Sequence, residues 1–484
     1  MKKIKKILII IQRSNGDVFL SVSLINNLYK HYQSPEIDLL VNDDTYELAK
    51  LLPNINFIHQ FYYSKKQKNQ FNQEKNLVVS LFKKYDLSIN LTASDRSVIY
   101  ALLASKKSIS AIETDNHKSW WKKIFLNHYY YFDLSKHVLL NNLEPLRILN
   151  IEYENYQESI SFPSIDYSEI KDKLNNRGID RFIVFHPSAQ YRYKVYPKKL
   201  RDDLIHSLNT LDIPIVITGG SNEIDLNIKN EIPRLSNIYN FIGETSLKDY
   251  LILSDLAIAY IGMDTLNMHI AASQSKRIFA IFGPTNLSMW SPWSNQLKTS
   301  TSINKPLQTY GRNTIFQSSL PCEICGIVGC GNNHDKNEFS YNIDPEEIFN
   351  EVNNWLVKSV DRTEISVLSE TKGKPREILL YIVYGEDQTY YDGVIFSFLT
   401  FMYWLTDRNQ IDIFVLTEKP EKFESYPVNI LVMNEEQKKE WSIDGDYHFR
   451  IKNRGLAYVM DELKLKEDDK ILFLDADTYF HKSP

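Results

Sequence analysis

The sequence of 484 residues predicts an α/β protein assembled from βαβ units with parallel sheets. Short β-branched runs alternate with longer segments whose apolar residues recur every three or four positions, the pattern of strands separated by amphipathic helices. This alternation occupies roughly the first 160 residues, restarts near residue 181 and restarts again near residue 378. At about 150 residues per domain, the length also suggests about three domains.

The composition excludes several classes of protein. Hydrophobic residues make up 43% of the chain and charged residues 24%, which is typical of a globular protein and not of a disordered or fibrous one. With 56 basic and 61 acidic residues the net charge is −5, which excludes a nucleic-acid binder acting through bulk positive charge. Only three cysteines occur, so a disulfide-stapled secreted protein is excluded and a reducing compartment is expected.

The first eleven residues superficially imitate a signal peptide. A basic start is followed by the apolar run Ile7–Ile11, but this run is too short and ends at Gln12-Arg13 without a small-residue cleavage site. It is therefore interpreted as a buried first strand. Because no apolar stretch approaches the ~18 residues that a membrane span needs, we expect a soluble, cytoplasmic protein.

The individual elements follow from the same periodicity. A helix is predicted over Val18–Tyr29 in the first unit, and further helices near Pro197–Leu208, Ser246–Leu253 and Asp264–Ser273 in the second. The predicted strands of the three units are, in chain order, Lys6–Gln12, Glu36–Asn42, Asn56–Phe61 and Asp86–Thr92; Arg181–Phe185, Ile213–Thr218, Leu256–Ile261 and Arg277–Phe282; and Ile378–Tyr384, Ile411–Leu416 and Lys470–Leu474.

Breaks in this pattern predict the domain boundaries. A linker is predicted around Pro163, between domains at 1–163 and 164–360, and a helix starts after Asp344-Pro345 and runs to about Val360. Residues 361–375 are polar, lack periodicity and end in Lys-Gly-Lys-Pro, which predicts a second linker. A partial third domain occupies 376–484.

The loop Arg13-Ser-Asn-Gly-Asp17 follows the first strand. Ligands of open α/β sheets bind at the carboxyl ends of the strands, so this loop faces a crevice. Asp17 could remove the proton of an acceptor hydroxyl there. Alternatively, Asp17 only caps the following helix.

Three further segments carry possible ligand-binding groups. Lys194 follows His186-Pro-Ser188 and could neutralise a diphosphate leaving group, although a solvated loop with ordinary lysines is the alternative. Thr218-Gly219-Gly could let a ligand approach the backbone, with Glu223 accepting hydrogen bonds from sugar hydroxyls, or could be a simple turn. Asp264 and Thr265 open a helix whose free amides can hold phosphate oxygens; His269, one turn later, could be a purely structural residue.

Taken together, residues 1 to about 360 resemble glycosyltransferase family 9, the ADP-heptose:lipopolysaccharide heptosyltransferases. The resemblance rests on six segments in the family's order, namely Ser14-Asn-Gly-Asp17; His186-Pro-Ser188 with Lys194; Thr218-Gly-Gly with Glu223; Phe241-Ile-Gly-Glu-Thr-Ser-Leu247; Gly262 with Asp264-Thr265 and Met268-His269-Ile-Ala-Ala; and Phe282-Gly-Pro-Thr285.

This resemblance implies a GT-B architecture, in which two Rossmann-like, doubly wound domains face a cleft. It also implies inverting, metal-independent transfer, with the acceptor on the first domain and a nucleotide-sugar on the second. By the same resemblance, Asp17 is the general base and Lys194 acts on the donor diphosphate. The donor-binding positions that it implies are Ser188, Thr218, Gly219, Glu223, Asp264, Thr265, Leu266 and His269, with Leu266 standing where the family has glycine.

The three cysteines lie close together as Cys322-x2-Cys325-x4-Cys330, with His334 shortly after them. Three thiolates and an imidazole could hold a structural zinc ion in tetrahedral geometry. A reduced loop with free thiols is the alternative. Transfer of the type described above does not need this metal.

The third segment ends in a strand followed by Asp475-Ala-Asp477. Two carboxylates in this spacing can hold Mn²⁺ or Mg²⁺ bridging a nucleotide-sugar diphosphate. With Phe449-Arg-Ile-Lys452 upstream, the segment resembles the nucleotide-binding half of a family 8 transferase of the GT-A type. The chain ends at Pro484, before the acceptor half of such an enzyme, so we expect a truncated, inactive second transferase.

One stretch interleaves lysines and aromatic residues, from His117 to Phe125 and again over Tyr129–Phe132. Such a stretch suits a membrane interface, where a lipid-linked acceptor would be met at the cytoplasmic face of the inner membrane. An ordinary packed helix with a few exposed lysines is the alternative.

The leading hypothesis is therefore a bacterial glycosyltransferase that adds a heptose or similar sugar to a lipopolysaccharide core or other surface glycan. Two hypotheses from other classes stay open at this point. One is a non-catalytic scaffold that binds nucleotide-sugars or glycans, and the other is a sugar-nucleotide epimerase on the same two-domain fold.

Overall fold

The computed structural model describes residues 4–63, 70–114, 116–160, 167–283, 285–317, 343–367, 377–404, 411–424, 426, 428–442, 449–463, 465, 469–476 and 478. The chain forms two compact units, Met1–Val352 and Asn353–Pro484. The first unit contains two sheets and the second contains one. No helix within the described ranges is long and apolar enough to cross a bilayer.

The first sheet is parallel throughout, with its strands in the order β3-β2-β1-β4-β5-β6. Its central strand β1 is apolar at every position from Ile7 onward because helices cover both of its faces. Its strands are β1 (Lys6–Ile11), β2 (Glu36–Asn42), β3 (Phe57–Phe61), β4 (Leu87–Asn90), β5 (Ser108–Ile112) and β6 (His128–Tyr131), and its helices are α1 (Asn15–Phe19), α2 (Val22–His31), α3 (Tyr46–Ala49), α4 (Gln70–Leu81), α5 (Asp95–Ala104), α6 (Asn116–Phe125) and α7 (Val138–Ile148).

The second sheet repeats this winding, in the order β12-β13-β11-β10-β7-β8-β9, and is parallel except for the edge strand β12. Its strands are β7 (Ile183–His186), β8 (Ile215–Ile217), β9 (Ile238–Asn240), β10 (Ala259–Met263), β11 (Arg277–Phe282), β12 (Leu307–Tyr310) and β13 (Asn313–Gln317), and its helices are α8 (Ser168–Asn175), α9 (Lys198–Leu208), α10 (Glu223–Glu231), α11 (Leu247–Leu256), α12 (Leu266–Ser273) and α13 (Leu287–Trp290).

The structure differs from the predicted elements at several points of the first sheet, beginning with the strand β5 (Ser108–Ile112), which was not among the predicted strands. The single helix predicted over Val18–Tyr29 is two helices, because the chain bends at Leu20-Ser21 and the Ser21 hydroxyl donates to the carbonyl of Val18. The run Tyr129–Phe132 is not helical, and most of it forms β6. Tyr130 is buried, whereas its neighbours Tyr129 and Tyr131 are exposed. Exposure therefore alternates with the two-residue period of a strand at the edge of a sheet.

The helix predicted after Asp344 is present as α14 (Pro345–Val367), and the Asp344 side chain accepts a hydrogen bond from the backbone N–H of Glu346. It continues seven residues into the predicted linker at 361–375, since Asp361–Val367 contains none of the glycines or prolines that would end a helix. The rest of that linker and residues 161–166, which include Pro163, lie outside the described residues.

The unit Asn353–Pro484 contains a four-stranded parallel sheet in the order β16-β15-β14-β17. Gly455 lets a covering helix pack closely on this sheet, since a Cβ there would lie 2.8 Å from Leu416. The strands are β14 (Glu377–Val383), β15 (Ile411–Thr417), β16 (Asn429–Val432) and β17 (Lys470–Leu474), and the helices are α15 (Gln388–Trp404), α16 (Glu435–Trp441) and α17 (Phe449–Glu462).

Candidate functional site

A cavity of about 740 Å³ opens at the carboxyl ends of β7, β8 and β10, where the strand order of the second sheet reverses. Residues of the α1 loop, Ser14 to Gly16, line its opposite wall. The cavity therefore lies between the two sheets of the first unit. Eight of the predicted site residues line it, namely Ser188, Lys194, Gly219, Glu223, Asp264, Thr265, Leu266 and His269.

Lys194, on the loop after β7, is the less exposed of the two described cations, Arg192 and Lys194, that line the cavity. Its Nζ is 2.9 Å from Oδ2 of Asp264, and the two side chains are only 23% and 7% exposed. Thr265 is the N-cap of α12, so the free N–H groups of that helix face the same region. A lysine and a helix N-terminus at one point form a site for an anion such as a diphosphate.

Two buried histidines stand around this point. Burial lowers the pKa of His269 to about 4, so its imidazole is neutral at pH 7 although Asp264 is close. His269 lines the cavity, and its Nδ1 has no hydrogen-bond partner among the described residues. Burial likewise lowers the pKa of His186 to about 4. Both rings can therefore form hydrogen bonds without adding charge.

Thr218 is the one predicted donor-binding residue that does not line the cavity. It is buried, and its Oγ1 lies 3.1 Å from Nδ1 of His186, which places it behind the wall. Gly219 beside it does line the cavity, and a Cβ at that position would lie 3.1 Å from Oδ1 of Asp225. A side chain at position 219 would therefore press on its neighbours, so close packing favours glycine there. Thr218 acts on the cavity only by holding His186.

Glu223 begins α10 at the rim of the cavity, and its Oε1 accepts a hydrogen bond of 2.8 Å from Nη2 of Arg192. Both side chains are largely exposed, so this ion pair contributes little to stability. Exchange of the Arg192 guanidinium for ligand hydroxyls at Glu223 therefore costs little. This is consistent with the predicted sugar-binding role of Glu223.

Asp17 lies beside the cavity without lining it. Its Oδ2 accepts hydrogen bonds from the hydroxyl and the backbone N–H of Ser14, and its Oδ1 lies 3.2 Å from Nε of Arg13. Asp17 is thus the third residue of a capping box whose N-cap is Ser14, so it does take part in capping α1. The same carboxylate nevertheless lies at the carboxyl end of β1, next to three residues of the cavity wall, so its role as a base stays a prediction.

Several cavity residues had not been predicted. The ring of Trp290, on α13, has its centre 6.0 Å from that of His269. A Cβ on Gly16 would lie 3.3 Å from the Trp290 ring. Tyr250 on α11 and Asn267, which lies 2.8 Å from His186, also line the cavity. Trp290 and Tyr250 come from elements with no glycine-rich or charged signature, so no pattern in the sequence indicates them.

The predicted metal ligands are only partly described. Cys322, Cys325, Cys330, His334 and Asp477 lie outside the described residues. Asp475 follows β17, and its carboxylate pairs with Lys452 of α17 and accepts the N–H of Ala476. Burial raises the pKa of Asp475, but these hydrogen bonds outweigh burial and hold it below its usual value. Among the residues that are described, no three His, Cys, Asp or Glu side chains converge on a metal-sized site.

The lysines of α6 do not behave alike. Lys122 is fully buried and bonds Asp95 and the carbonyl of Ala93, so this lysine is part of the packing of α6, which is compatible with the packed-helix alternative. Trp120, Ile124 and Phe125 on the same helix are each more than 60% exposed. The helix therefore presents an apolar surface to the outside.

The known proteins that this chain resembles in sequence are glycosyltransferases. Residues 76–319 match the model of glycosyltransferase family 9 (heptosyltransferase). Lipopolysaccharide heptosyltransferase 3 of Escherichia coli is 27% identical over 295 residues, which are 59% of this chain and 85% of that protein. Relatives of this kind support neither the scaffold nor the epimerase hypothesis.

Two solved structures share the fold. A family 9 glycosyltransferase of Veillonella parvula DSM 2008 has a TM-score of 0.57 at 16% identity, over 74% of this chain and 99% of that one. ADP-heptose lps heptosyltransferase II of E. coli has a TM-score of 0.52 at 18% identity, over 73% and 99%. The predicted GT-B architecture of the first unit is thereby confirmed. Because the family match covers half of the sequence and includes the donor side of the cavity, the chain belongs to glycosyltransferase family 9, the heptosyltransferases, and is a glycosyltransferase.

Proposed function

We propose that this glycosyltransferase moves a heptose from ADP-heptose to a sugar of the lipopolysaccharide core, with inversion at the anomeric carbon and without a metal ion. The observation that carries the proposal is the meeting of Lys194 and the α12 N-terminus in a cavity whose other wall is the Asp17 loop. The relatives named for heptose transfer support the choice of sugar and acceptor.

The donor side of the reaction is electrostatic. As the bond between the sugar C1 and the diphosphate oxygen breaks, negative charge grows on the leaving ADP. Lys194 Nζ and the free N–H groups of α12 are fixed where this charge develops, so they stabilise the transition state more than the ground state. This arrangement supplies the positive charge that a divalent cation provides in other transferases.

The acceptor side needs a base. In the proposed step, an Oδ atom of Asp17 removes the proton of the acceptor hydroxyl. At the same time, the oxygen of that hydroxyl forms a bond to C1 of the sugar from the face opposite the ADP. Arg13 and Ser14 hold the carboxylate in place. The proton ends on Asp17, the electron pair of the broken bond leaves with ADP, and the anomeric configuration inverts.

Transfer is tested with ADP-heptose and lipopolysaccharide cores truncated at successive sugars, by following ADP release and product mass. We expect acceptor-dependent release of ADP from ADP-heptose, with a rate that EDTA leaves unchanged. The same reaction with UDP-, GDP- and CMP-sugars serves as the comparison. Failure to transfer from ADP-heptose to every core, or loss of transfer in EDTA, contradicts the proposal.

We further propose that α6 contacts the bilayer that carries the acceptor. Trp120, Ile124 and Phe125 form an exposed apolar surface of the kind that an interfacial helix buries in the headgroup region of a bilayer. In the transfer assay, Trp120→Ser with Phe125→Ser is expected to slow transfer to acceptor embedded in anionic vesicles, and not to detergent-dispersed acceptor. Equal rates of transfer to the vesicle-embedded acceptor for the variant and the wild-type protein would contradict the proposed bilayer contact.

For the second unit we propose a nucleotide site of the GT-A type. Three strand ends of its sheet carry polar groups at one edge, where the Gly385 N–H bonds Glu418 and Lys452 bonds Asp475. Gly393 lets α15 approach this edge, since a Cβ there would overlap the carbonyl of Ala476.

The test is the melting temperature of the full chain with UDP- or GDP-hexose. A Mn²⁺-dependent rise in melting temperature is expected in the wild-type chain and in the control Asp461→Asn. In Asp475→Asn this rise is expected to be lost. No Mn²⁺-dependent rise in the wild-type chain contradicts this site.

A further inference from the structure

A second cavity, of about 700 Å³, lies on the first sheet, away from the donor site. It is formed by the end of β5, the edge strand β6, the loop after β6 and one face of α7. We call it the aromatic groove, and its lining residues are Thr114, Tyr129 to Lys136, Glu144 and Arg147. None of these residues belongs to the donor cavity.

The chemistry of the aromatic groove suits a carbohydrate. Tyr129 and Tyr131 are 39% and 43% exposed and pack edge to face, 5.9 Å apart, which leaves aromatic surface on which a sugar ring can stack. Glu144 accepts from Lys136 at 3.3 Å and from Arg147 at 2.8 Å. Together with Asp133, which also lines the groove, these charged residues balance in net charge and offer both acceptors and donors to hydroxyl groups.

An unpartnered hydroxyl points to a missing ligand. Tyr130 follows Tyr129 and precedes Tyr131 in the chain, but its side chain lies on the opposite face of β6; it is only 5% exposed and lines the groove. Its hydroxyl has no hydrogen-bond partner among the residues that the structure describes. Burial raises the pKa of Tyr130 well above its usual value, so the hydroxyl keeps its proton and can donate. A buried hydroxyl without a partner costs free energy, which a bound sugar oxygen would recover.

The aromatic groove leads to the proposed base. Phe132 lines the groove, and the guanidinium of Arg13 lies 4.4 Å from the centre of its ring. Arg13 in turn lies 3.2 Å from Asp17. The side chains of Phe132 and Arg13 therefore form a continuous line of contacts between the groove and Asp17.

We infer that the aromatic groove is an acceptor subsite, which binds a sugar of the core next to the one that receives the heptose. The inference rests on the proposed transfer to a lipopolysaccharide core and extends it. Binding here adds affinity for longer acceptors and orients the reacting hydroxyl toward Asp17. It also explains why Arg13 stacks on Phe132, since that contact links the groove to the base.

The test compares two acceptors, one that ends in the reacting sugar and one that carries its neighbouring core sugars. Tyr131→Ser removes an exposed stacking surface, and Tyr130→Phe removes only the unpartnered hydroxyl. For the longer acceptor, each variant is expected to raise KM about three- to tenfold, the range of one stacking contact or hydrogen bond. The KM for ADP-heptose is expected to stay within about twofold, and the effect to shrink with the short acceptor.

Phe82→Ser is the matched control, because Phe82 is 49% exposed in the same half of the unit but follows α4 at the amino end of β4. It is expected to leave the KM for the longer acceptor unchanged. An unchanged KM in Tyr131→Ser and Tyr130→Phe, with active wild-type protein, overturns the subsite alone. A wild-type protein that transfers to neither acceptor overturns the proposed function, and the subsite with it.

Discussion

Asp17→Asn is expected to lower kcat by about 10²- to 10⁴-fold, the contribution of a positioned general base. The asparagine oxygen still accepts the Ser14 N–H, so α1 keeps its cap and the loop keeps its shape. The variant cannot take up the proton of the acceptor hydroxyl. Binding of ADP, followed by calorimetry, is expected to stay near the wild-type value, because Asp17 does not line the donor cavity.

Ser14→Ala is the control for the capping role of Asp17. It removes the hydroxyl that donates to Oδ2 at 2.7 Å and leaves the carboxylate in place. Loss of a capping partner costs about 1 kcal/mol of stability, so a small drop in melting temperature is expected. Because the backbone N–H of residue 14 and the Arg13 guanidinium still hold the carboxylate, kcat is expected to be largely retained. Wild-type kcat in Asp17→Asn, or an equal loss in Ser14→Ala, would show that Asp17 is structural.

Lys194→Gln is expected to lower kcat/KM for the donor by about 10²- to 10³-fold, which is the effect of removing one fixed donor from a site of developing charge. The loss is increased by Asp264, whose carboxylate is then left without its partner at 2.9 Å and repels the diphosphate. Steady-state kinetics with varied ADP-heptose measure this change. The acceptor KM is expected to change little.

Arg192→Gln is the matched control, since it removes a cation from the same loop. Arg192 is exposed and pairs with Glu223 at the rim of the cavity, so its loss is expected to change kcat/KM by less than about fivefold. If Lys194→Gln and Arg192→Gln lower kcat/KM for the donor equally, Lys194 does not stabilise the leaving diphosphate in the proposed way.

Much of the fold could be predicted from sequence because parallel central strands are continuous apolar runs. The limits of β2, β11 and β17 agree with the predicted ones, and β1 differs by one residue. β5 was missed because Ser108-Ile-Ser-Ala-Ile carries small polar residues in buried positions. Buried serines are tolerated there because neighbouring side chains form hydrogen bonds with them. For example, Nδ2 of Asn90 donates a hydrogen bond to the hydroxyl of Ser110.

The residues of the candidate site likewise fall into a group that the sequence predicts and a group that it does not. Residues within glycine-rich or charged strand ends, such as Lys194 and Asp264, could be found because such ends must face the crevice. Trp290 and Tyr250 reach the cavity only through tertiary packing, which no local pattern encodes. The aromatic run Tyr129–Phe132 stands out in the sequence by its composition, but the groove that it lines is completed by α7 and by the loop between β6 and α7.

The central claim is a single displacement in which a hydroxyl activated by Asp17 attacks opposite to the leaving ADP. The measurement that tests it most directly is the anomeric configuration of the transferred sugar, read by NMR from the product of the wild-type protein. We predict the configuration opposite to that of the donor. Retention of the donor configuration would contradict the account, because one attack from the Asp17 side gives only the inverted product.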